Sequence, residues 1–187
     1  MLALTCHSTG NFGDAKFGGN DRQVAVPHPA LQKIYLQTLQ KNKEQFEEFQ
    51  ITIEATHHGP TALNKPAIFI EIGTTEKQWS NVQLCNRVAA LVHGAMVQKH
   101  DTFSVAICFG GTHYPEKFTK ELLDGRYSLG TVMPKHALDN LDEELFRHIL
   151  HQNKAATAAL LDWTGLGQNK QKVVDLLKQT DLEMIKL

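Results

Sequence analysis

The stretch Phe103-Ser-Val-Ala-Ile-Cys-Phe109 decides the fold class, because it is short, apolar and rich in β-branched and aromatic residues, and Gly110 and Gly111 follow it at once. Such a run, bounded by glycine, is typical of a buried strand in an α/β sheet. Ala67-Ile-Phe-Ile-Glu-Ile72 has the same character, and Phe49-Gln-Ile-Thr-Ile-Glu-Ala-Thr56 alternates apolar with polar residues. The sequence therefore predicts a sheet of short strands.

Helical patterns alternate with these strands. The clearest predicted helix runs from Asn81 to Gln98, and Ser80 and Gln83 match a capping box at its start. Two apolar stripes on this helix predict that neighbours cover much of its circumference. Further helices are predicted over 31–39, 115–123, 141–151 and 169–179, further strands over 2–6 and 24–27, and segments that close the sheet edge over 157–163 and 182–187. This order predicts a single α/β domain over residues 1–187, with a parallel or mixed sheet flanked by helices.

Composition limits the class of partner. The chain has 187 residues and a net charge of −1, so no overall positive field draws it to nucleic acid, although a local basic patch is left open. It has no apolar run near the roughly 20 residues of a membrane span, no basic signal-peptide region, and no metal-finger spacing of its three cysteines. We therefore expect a cytoplasmic protein with reduced thiols and no membrane partner. The ten histidines are the outlier, and histidine is both a common metal ligand and a proton carrier near neutral pH.

Polar, glycine-rich segments follow several predicted strands, at the place where open α/β sheets bind ligands. These segments are 6–12, 56–60, 71–76 and 109–114. We expect the strands that end near residues 56, 72 and 109 to lie in one sheet. The side chains of His58, Glu71 and His113 should then converge at its carboxyl edge.

The residue types in these segments allow several roles. Glycines let backbone N–H groups approach an anion or a developing oxyanion. Histidine can ligate a metal or move a proton, and Glu71 can act as ligand or base. His57 and His58 cannot both face inward along a regular strand, unless a turn begins there. Any one of these histidines, taken alone, is more often a hydrogen-bonded structural residue, so residue types by themselves predict an α/β protein with a His- and Glu-rich pocket.

Four blocks go further, since together and in this order they resemble the archaeal and plant-type D-aminoacyl-tRNA deacylase family. The blocks are His7-Ser-Thr-Gly-Asn-Phe12, Glu54-Ala-Thr-His-His-Gly-Pro-Thr61, Phe69-Ile-Glu-Ile-Gly-Thr-Thr-Glu-Lys-Gln-Trp79 and Gly110-Gly-Thr-His-Tyr114, and Thr119, Lys135 and Asp162-Trp-Thr-Gly-Leu166 fit the downstream pattern. The resemblance spans essentially the whole chain. It implies a fold similar to phosphorylase and peptidyl-tRNA hydrolase domains, and hydrolysis of the ester between a D-amino acid and tRNA. It also implies zinc association and a cytoplasmic role in translation quality control.

The resembling blocks also imply site residues. The expected catalytic residues are His7, His58, Glu71 and His113. Zinc accepts histidine nitrogen and carboxylate oxygen, so His58, Glu71 and His113 are the expected ligands, with His7 in reserve. The expected substrate-binding residues are Thr9, Gly10, Asn11, Gly59, Gly73, Gly110, Gly111, Tyr114 and Lys135. The alternative is that the histidines bind substrate directly, and the terminal ribose or a side chain supplies the remaining chemistry.

The chain also departs from the family pattern. It begins almost at His7, so we expect a short member without the usual N-terminal segment, and a homo-oligomer would cover a sheet edge left open. Gly130-Thr131 and Asp162-Trp-Thr-Gly165 replace the usual Gly-His and Asp-Trp-Lys-Gly. Two alternatives stay open: a metal-dependent hydrolase or phosphorylase-like enzyme on a small substrate, and a non-catalytic binding protein. The positions of five cations would discriminate between these hypotheses. Cations that cluster at the pocket would favour an RNA substrate, because a phosphate backbone could dock there, whereas dispersed cations would favour a small substrate. The five are Lys117, Lys120, Arg126, Lys135 and Lys154.

Overall fold

The computed structural model describes residues 2–98 and 102–187. The strands are β1 (Ala3–His7), β2 (Gly10–Asn11), β3 (Gln23–Val24), β4 (Gln50–Ile53), β5 (Phe69–Gly73), β6 (Ser104–Phe109), β7 (Tyr127–Met133), β8 (Ala156–Leu161) and β9 (Glu183–Lys186). The helices are α1 (Pro29–Lys41), α2 (Glu76–Trp79), α3 (Val82–Val97), α4 (Glu116–Asp124), α5 (Glu143–Gln152) and α6 (Lys170–Leu177). The predicted mixed α/β fold, with sheets flanked by helices, is confirmed.

The strands form two main sheets, and this contradicts the expectation of a single one. A three-stranded sheet has the order β4-β1-β5, and a four-stranded sheet has the order β7-β6-β8-β9. In the first, β4 runs parallel and β5 antiparallel to β1; in the second, every pairing is parallel. The prediction failed because an apolar run indicates that a strand forms and not which strand it pairs with. The segment over 182–187 does close a sheet edge, as β9.

Helix α1 lies at the centre of the main core. Pro29 is placed in its first turn, where a missing N–H costs nothing, and the His28 ring accepts a hydrogen bond from the Leu31 N–H. Tyr35 and Leu36 are fully buried in a cluster that includes residues of both main sheets. Burying a leucine side chain stabilises the fold by about 1.5–3 kcal/mol, so α1 holds the two sheets in a fixed relation.

Helix α3 differs from its predicted form at both its start and its surface. Its N-cap is Asn81, whose side chain accepts a hydrogen bond from the Leu84 N–H, whereas Ser80 Oγ donates to the Glu76 carbonyl of α2. The predicted capping box is therefore wrong. Much of the second apolar stripe is exposed, with Val82 66% and Met96 60% accessible, although Val92 packs in part against the core. Neither α3 nor any other helix within 2–98 and 102–187 is long and apolar enough to cross a membrane.

Strand β7 has no counterpart in the sequence predictions. All seven of its residues are buried, yet polar Ser128 and Thr131 and flexible Gly130 interrupt its apolar pattern. Gly130 is needed because a Cβ there would lie 2.0 Å from Asn153 Oδ1. That same oxygen accepts a hydrogen bond from the Thr131 N–H. Tertiary packing therefore decides this strand, and the sequence pattern does not reveal it.

Candidate active site

Strand β1 brings two residues to one face of its sheet. Thr5 and His7 alternate with Cys6 along the strand, so they point to the face opposite Cys6. Cys6 faces α1, since its Sγ lies 4.0 Å from the carbonyl oxygen of Gln32. Glu71 of β5 pairs opposite Thr5 and shares its face. His7 Nε2 consequently lies 3.1 Å from Glu71 Oε1.

Glu54 is the buried acid of this face. It extends the pairing of β4 with β1, because its N–H donates to the Cys6 carbonyl at 3.1 Å. Its Oε1 accepts a hydrogen bond from Thr5 Oγ1 at 2.7 Å. Its Oε2 lies 2.8 Å from His113 Nε2 and 3.6 Å from His57 Nε2. With 6% of the residue exposed, the carboxylate depends on these partners for its stability.

A turn after β4 lets both adjacent histidines face the pocket. The strand ends at Ile53, and His58 adopts the left-handed conformation, with φ of 40°. The N–H of Gly10 holds the turn by donating to the His58 carbonyl at 2.7 Å. The ring centroids of His7 and His57 are 4.1 Å apart, and those of His57 and His58 are 4.5 Å apart. His57 and His58 can therefore both face the pocket because they lie in a turn and not in a regular strand.

His113 reaches the same cluster from the other sheet. It lies in the loop between β6 and α4, and its carbonyl accepts a hydrogen bond from the Ala55 N–H at 2.8 Å. Nearby, the Thr56 N–H donates to the Val132 carbonyl of β7 at 2.9 Å. These bonds join the two sheets at the pocket. His58 and His113 therefore both contribute to one cluster, although they do not follow strands of one sheet.

Backbone contacts fix which nitrogen of three histidine rings carries the proton. Nδ1 lies 3.0 Å from the Ser8 carbonyl oxygen in His7, 2.8 Å from that of Ala55 in His57, and 2.7 Å from that of Gly59 in His58. A carbonyl oxygen only accepts, so each Nδ1 must donate. When these rings are neutral, each Nε2 is a bare lone pair directed at the cluster. Lone pairs that face carboxylates need a proton or a cation between them.

The charges of the cluster follow from burial and hydrogen bonding. Burial raises the pKa of Glu54, but hydrogen bonds from His113 and Thr5 outweigh it and bring that pKa down to about 2. Burial, aided by the neighbouring His7, lowers the pKa of His57 to about 4. The hydrogen bond to Glu54 raises the pKa of His113, and the hydrogen bond that His7 donates when its Nε2 also carries a proton lowers the pKa of Glu71. Glu54 is therefore a carboxylate near neutral pH, and His57 is a neutral ring.

The donor set fits a zinc ion. Among the described residues, three groups have ligand atoms within 4.8 Å of one another: His7, His57 and His58; Glu54, His57 and His113; and His7, Glu54 and Glu71. Neutral imidazole and carboxylate are zinc ligands, and a ring N–H bonded to a backbone carbonyl is the usual way to orient a metal-binding histidine. The expected trio of His58, Glu71 and His113 is not one of these groups, because His113 bonds to Glu54 and lies beyond His57. Glu54 and His57 replace members of that trio.

A cavity of about 420 Å³ opens beside His57, His58 and His113. Gly10 and Asn11, two of the residues predicted to bind substrate, line it. Thr9 is fully buried, and its hydroxyl donates to the Pro60 carbonyl at 2.6 Å, so it holds the wall. Gly59 is a packing requirement, since a Cβ there would lie 2.4 Å from the backbone of residues 18 and 19. The Tyr114 ring lies 4.8 Å from that of His113.

Several expected residues lie elsewhere. Gly73 pairs with Ala3, at the end of β1 opposite His7, because β5 runs antiparallel. The Gly110 N–H donates to the Met133 carbonyl, and Gly111 borders a separate cavity with Asp162. Lys135 is exposed, between two residues that line the 420 Å³ cavity.

None of the five cations that bear on RNA binding lines the 420 Å³ cavity, although Lys135 lies between two residues that do. Lys117 bonds to Asp162 at 2.7 Å, Arg126 bonds to Glu183 at 2.8 Å, and Lys154 lines a different cavity. Lys16 and His136 line the pocket instead, and the sequence patterns did not indicate them. Glu54 and Thr5 were missed as well. Glu54 begins one of the four resembling blocks, and its alternation with Thr52 places the two on one face, but neither signal indicates its contacts with His113 and Thr5.

The family model and the related sequences agree on one family. A family model described as D-aminoacyl-tRNA deacylase matches residues 1–185. A D-aminoacyl-tRNA deacylase of Cenarchaeum symbiosum is 55% identical over 184 residues, which cover 98% of this chain and 71% of that protein. One of Pyrococcus furiosus is 33% identical over 187 residues, 68% of its length. A crystal structure titled as a conserved protein of unknown function superposes with a TM-score of 0.92 at 30% identity, over 99% of this chain and 66% of that one.

Proposed function

The chain belongs to the D-aminoacyl-tRNA deacylase family, and from this premise we propose that its histidine–glutamate pocket hydrolyses the ester between a D-amino acid and the 3′ end of tRNA. The products are the free D-amino acid and free tRNA. One observation carries the proposal. Four histidines and two glutamates from both main sheets form one cluster, three of its histidines (His57, His58 and His113) line an open cavity, and these side chains can bind a cation and transfer protons.

Ester hydrolysis needs a water that loses a proton, a stabilised oxyanion and a proton for the leaving ribose oxygen. Glu71 is the best-placed base, because its side chain is 38% exposed and its carboxylate lies between His7 and His58. His113 is the best-placed proton carrier to the ribose oxygen, because its ring lines the cavity and Glu54 anchors its Nε2. Glu54 is a positioning residue, since its side chain is only 7% exposed, against 38% for Glu71, and its two oxygens are held by Thr5 and His113.

Zinc is the cation that we propose for this site, with Nε2 of His7, His57 and His58 as its ligands. When bound, zinc supplies Lewis acidity, which eases the ionisation of water and stabilises negative charge on the ester. The fixed Nδ1–H groups support this assignment, because they keep each Nε2 available without rotation of the ring.

We propose D-aminoacyl-tRNA as the partner, in the cytoplasm. The dispersed cations are compatible with tRNA only if the contact is restricted to its acceptor end. The same dispersal favours a second candidate, an esterase that acts on small D-amino acid esters. A homo-oligomer stays a prediction, and size-exclusion chromatography with light scattering would test it.

The decisive experiment compares D- and L-tyrosyl-tRNA as substrates, with zinc-loaded and chelator-treated protein. The variants are His57→Ala and, as a matched control, His93→Ala at an exposed position of α3. We expect release of D-tyrosine by wild type and His93→Ala, and loss of both zinc and activity in His57→Ala. Hydrolysis of D-tyrosine methyl ester but not of D-tyrosyl-tRNA would favour the second candidate. Full activity of stripped protein would contradict the role of zinc, and inactivity on every ester would contradict the hydrolase.

A further inference from the structure

A second and larger cavity, of about 770 Å³, lies next to the active-site cavity. Its volume is within the 300–1,000 Å³ range of pockets that bury small ligands. Apolar side chains of Val26, Pro27, Leu63 and Pro66 make much of its wall. None of the histidines or glutamates assigned to catalysis lines it.

Two structural elements connect the cavities. Asn11 lines the active-site cavity, and its partner across the β2–β3 ladder, Gln23, lines the second one. Paired strands lie about 4.8 Å apart, so one strand spacing separates the two walls. The chain after His58 also passes from one cavity to the other, since Thr61 lines the second. Three residues span at most about 11 Å, so both cavities are within reach of a single nucleotide.

The chemistry of the lining fits a nucleotide. His151 and Lys154 stand on the wall without an ion-pair partner among the described residues, and no acidic residue of the described chain joins them in the lining. The side-chain amides of Asn64 and Gln152 make no hydrogen bond within the described chain, so they can donate to and accept from the edge of a base. Apolar walls, free amides and unpaired cations match the face, the edge and the phosphate of a nucleotide.

We propose that this cavity binds the adenine base of the 3′-terminal nucleotide of tRNA, with the preceding phosphate at Lys154 and His151. The inference rests on the proposed function, because the ribose of that nucleotide carries both the adenine and the ester. With the ester at the histidine–glutamate pocket, the base has to lie in an adjacent recess. The 770 Å³ cavity provides that recess, and its position explains how a chain of net charge −1 selects the end of tRNA.

The test uses adenosine 5′-monophosphate as the probe. Ala155 is an exposed residue of the cavity wall, so Ala155→Trp fills the cavity with little demand on the core. Ala90→Trp, at an exposed position of α3, is the matched control. By calorimetric titration we expect the nucleotide to bind wild type and Ala90→Trp, and to bind Ala155→Trp at least about tenfold more weakly. KM for D-tyrosyl-tRNA should rise about tenfold in Ala155→Trp, and much more than KM for D-tyrosine methyl ester, which has no base.

A charge variant tests the phosphate contact separately. Lys154→Gln should weaken binding of the nucleotide and reduce the salt dependence of KM for D-tyrosyl-tRNA by about one phosphate contact, a slope change of about 0.7. Lys178→Gln, an exposed lysine that lines neither cavity, should change neither.

The outcomes separate this inference from the proposed function. Failure of the nucleotide to bind wild type, or equal binding by wild type and Ala155→Trp, overturns the adenine site even if D-tyrosyl-tRNA is hydrolysed. If the nucleotide binds as expected but wild type does not hydrolyse D-tyrosyl-tRNA, the nucleotide site is supported and the deacylase function is overturned.

Discussion

Within residues 2–98 and 102–187, charged groups are buried in two regions, and the hydrogen bonds of these groups are satisfied in one region and not in the other. The side chain of Lys33 on α1 is enclosed in the core, where its Nζ donates to the carbonyl oxygens of Leu122, Gly125 and Tyr127 at 2.7, 2.8 and 2.8 Å. An ammonium has three donors, and all three have partners. In the histidine–glutamate cluster, by contrast, the Nε2 atoms of His7 and His58 face the Glu71 carboxylate.

The contrast separates a structural charge from a functional one. All three N–H donors of the Lys33 ammonium are already bonded to carbonyl oxygens, so no donor is left for a ligand. These bonds also link α1 to α4 and β7. The cluster is incomplete without protons or a cation, since acceptor faces acceptor. The two regions also differ in exposure, because three histidines of the cluster line a cavity whereas Lys33 is enclosed in the core. Substitution in the first region should therefore change stability, and substitution in the second should change turnover.

The largest effect is expected for Glu54→Gln. The variant keeps the shape of the side chain and its bond from Thr5, but it removes the charge that anchors His113. Misplacing a proton-transfer group costs about 10²–10⁴-fold in rate, so we expect a loss of that size in single-turnover hydrolysis of D-tyrosyl-tRNA. Glu48→Gln, at an exposed position, is the matched control. If Glu54→Gln turned over substrate as fast as wild type, the charge of Glu54 would not be functional, and the proposed difference between the two regions would be wrong.

Lys33→Met should show the reverse pattern. It leaves three buried carbonyl oxygens without their donor, and each buried acceptor left unsatisfied costs about 1–3 kcal/mol, so the loss is at least about 3 kcal/mol. We expect the free energy of unfolding in urea to fall by that amount, while the folded variant keeps its rate of ester hydrolysis. Lys41→Met, at the exposed end of the same helix, should leave stability nearly unchanged. A stable but inactive Lys33→Met would show that the closed site has a catalytic role.

Two threonines on one face of the sheet offer a finer comparison. Thr5 donates to Glu54, and Thr52 bonds to Thr119 at 2.9 Å. Thr5→Val and Thr52→Val should each lower the free energy of unfolding by about 1 kcal/mol, the net value of one hydrogen bond. Only Thr5→Val should also slow hydrolysis, by about tenfold, the low end of the cost of losing an orienting contact. Equal rates in the two variants would show that Glu54 needs no orientation from Thr5.

The sequence allowed the strands and helices to be predicted better than their pairing. The run at 103–109 became β6, because apolar β-branched residues before Gly110 have few alternatives to a buried strand. The direction of β5 has no sequence signature, and its antiparallel course carried Gly73 away from the site. Gly130 and the partnered polar groups of β7 gave no strand signal, because their reason lies in contacts with Asn153, more than twenty residues away.

The site was predictable as a set of blocks and not as a geometry. The histidines stood out through their number and their place after apolar runs. Which histidines and glutamates contact one another depends on how the two main sheets meet. The hydrogen bond from the Thr56 N–H to the Val132 carbonyl joins the sheets there. Glu54 was hidden, because alternation gives a residue its face but not its neighbours. A buried acid is recognised only when its partners, here Thr5 and His113, are known.

The smallest effect concerns pH and tests whether burial or hydrogen bonding dominates at Lys33. Burial lowers the pKa of the Lys33 ammonium below its usual 10.5, and the nearby Glu121 and Asp124 carboxylates offset this only in part. Between the lowered folded pKa and 10.5 the unfolded chain binds more protons than the folded one, so stability due to Lys33 rises with pH there. Below that window the burial of the charged form opposes folding in full.

We therefore expect the free energy of unfolding of wild type, relative to Lys33→Met, to increase as the pH is raised toward 10.5 in urea titrations. Taking the difference between the two proteins cancels groups that titrate alike in both. A difference that decreases over the same range would mean that the carbonyls of Leu122, Gly125 and Tyr127 hold the ammonium better than water does. The carbonyl partners of Lys33 would then stabilise its charge without any ligand. The charges of the histidine–glutamate cluster, by contrast, would be stabilised only after a cation had bound.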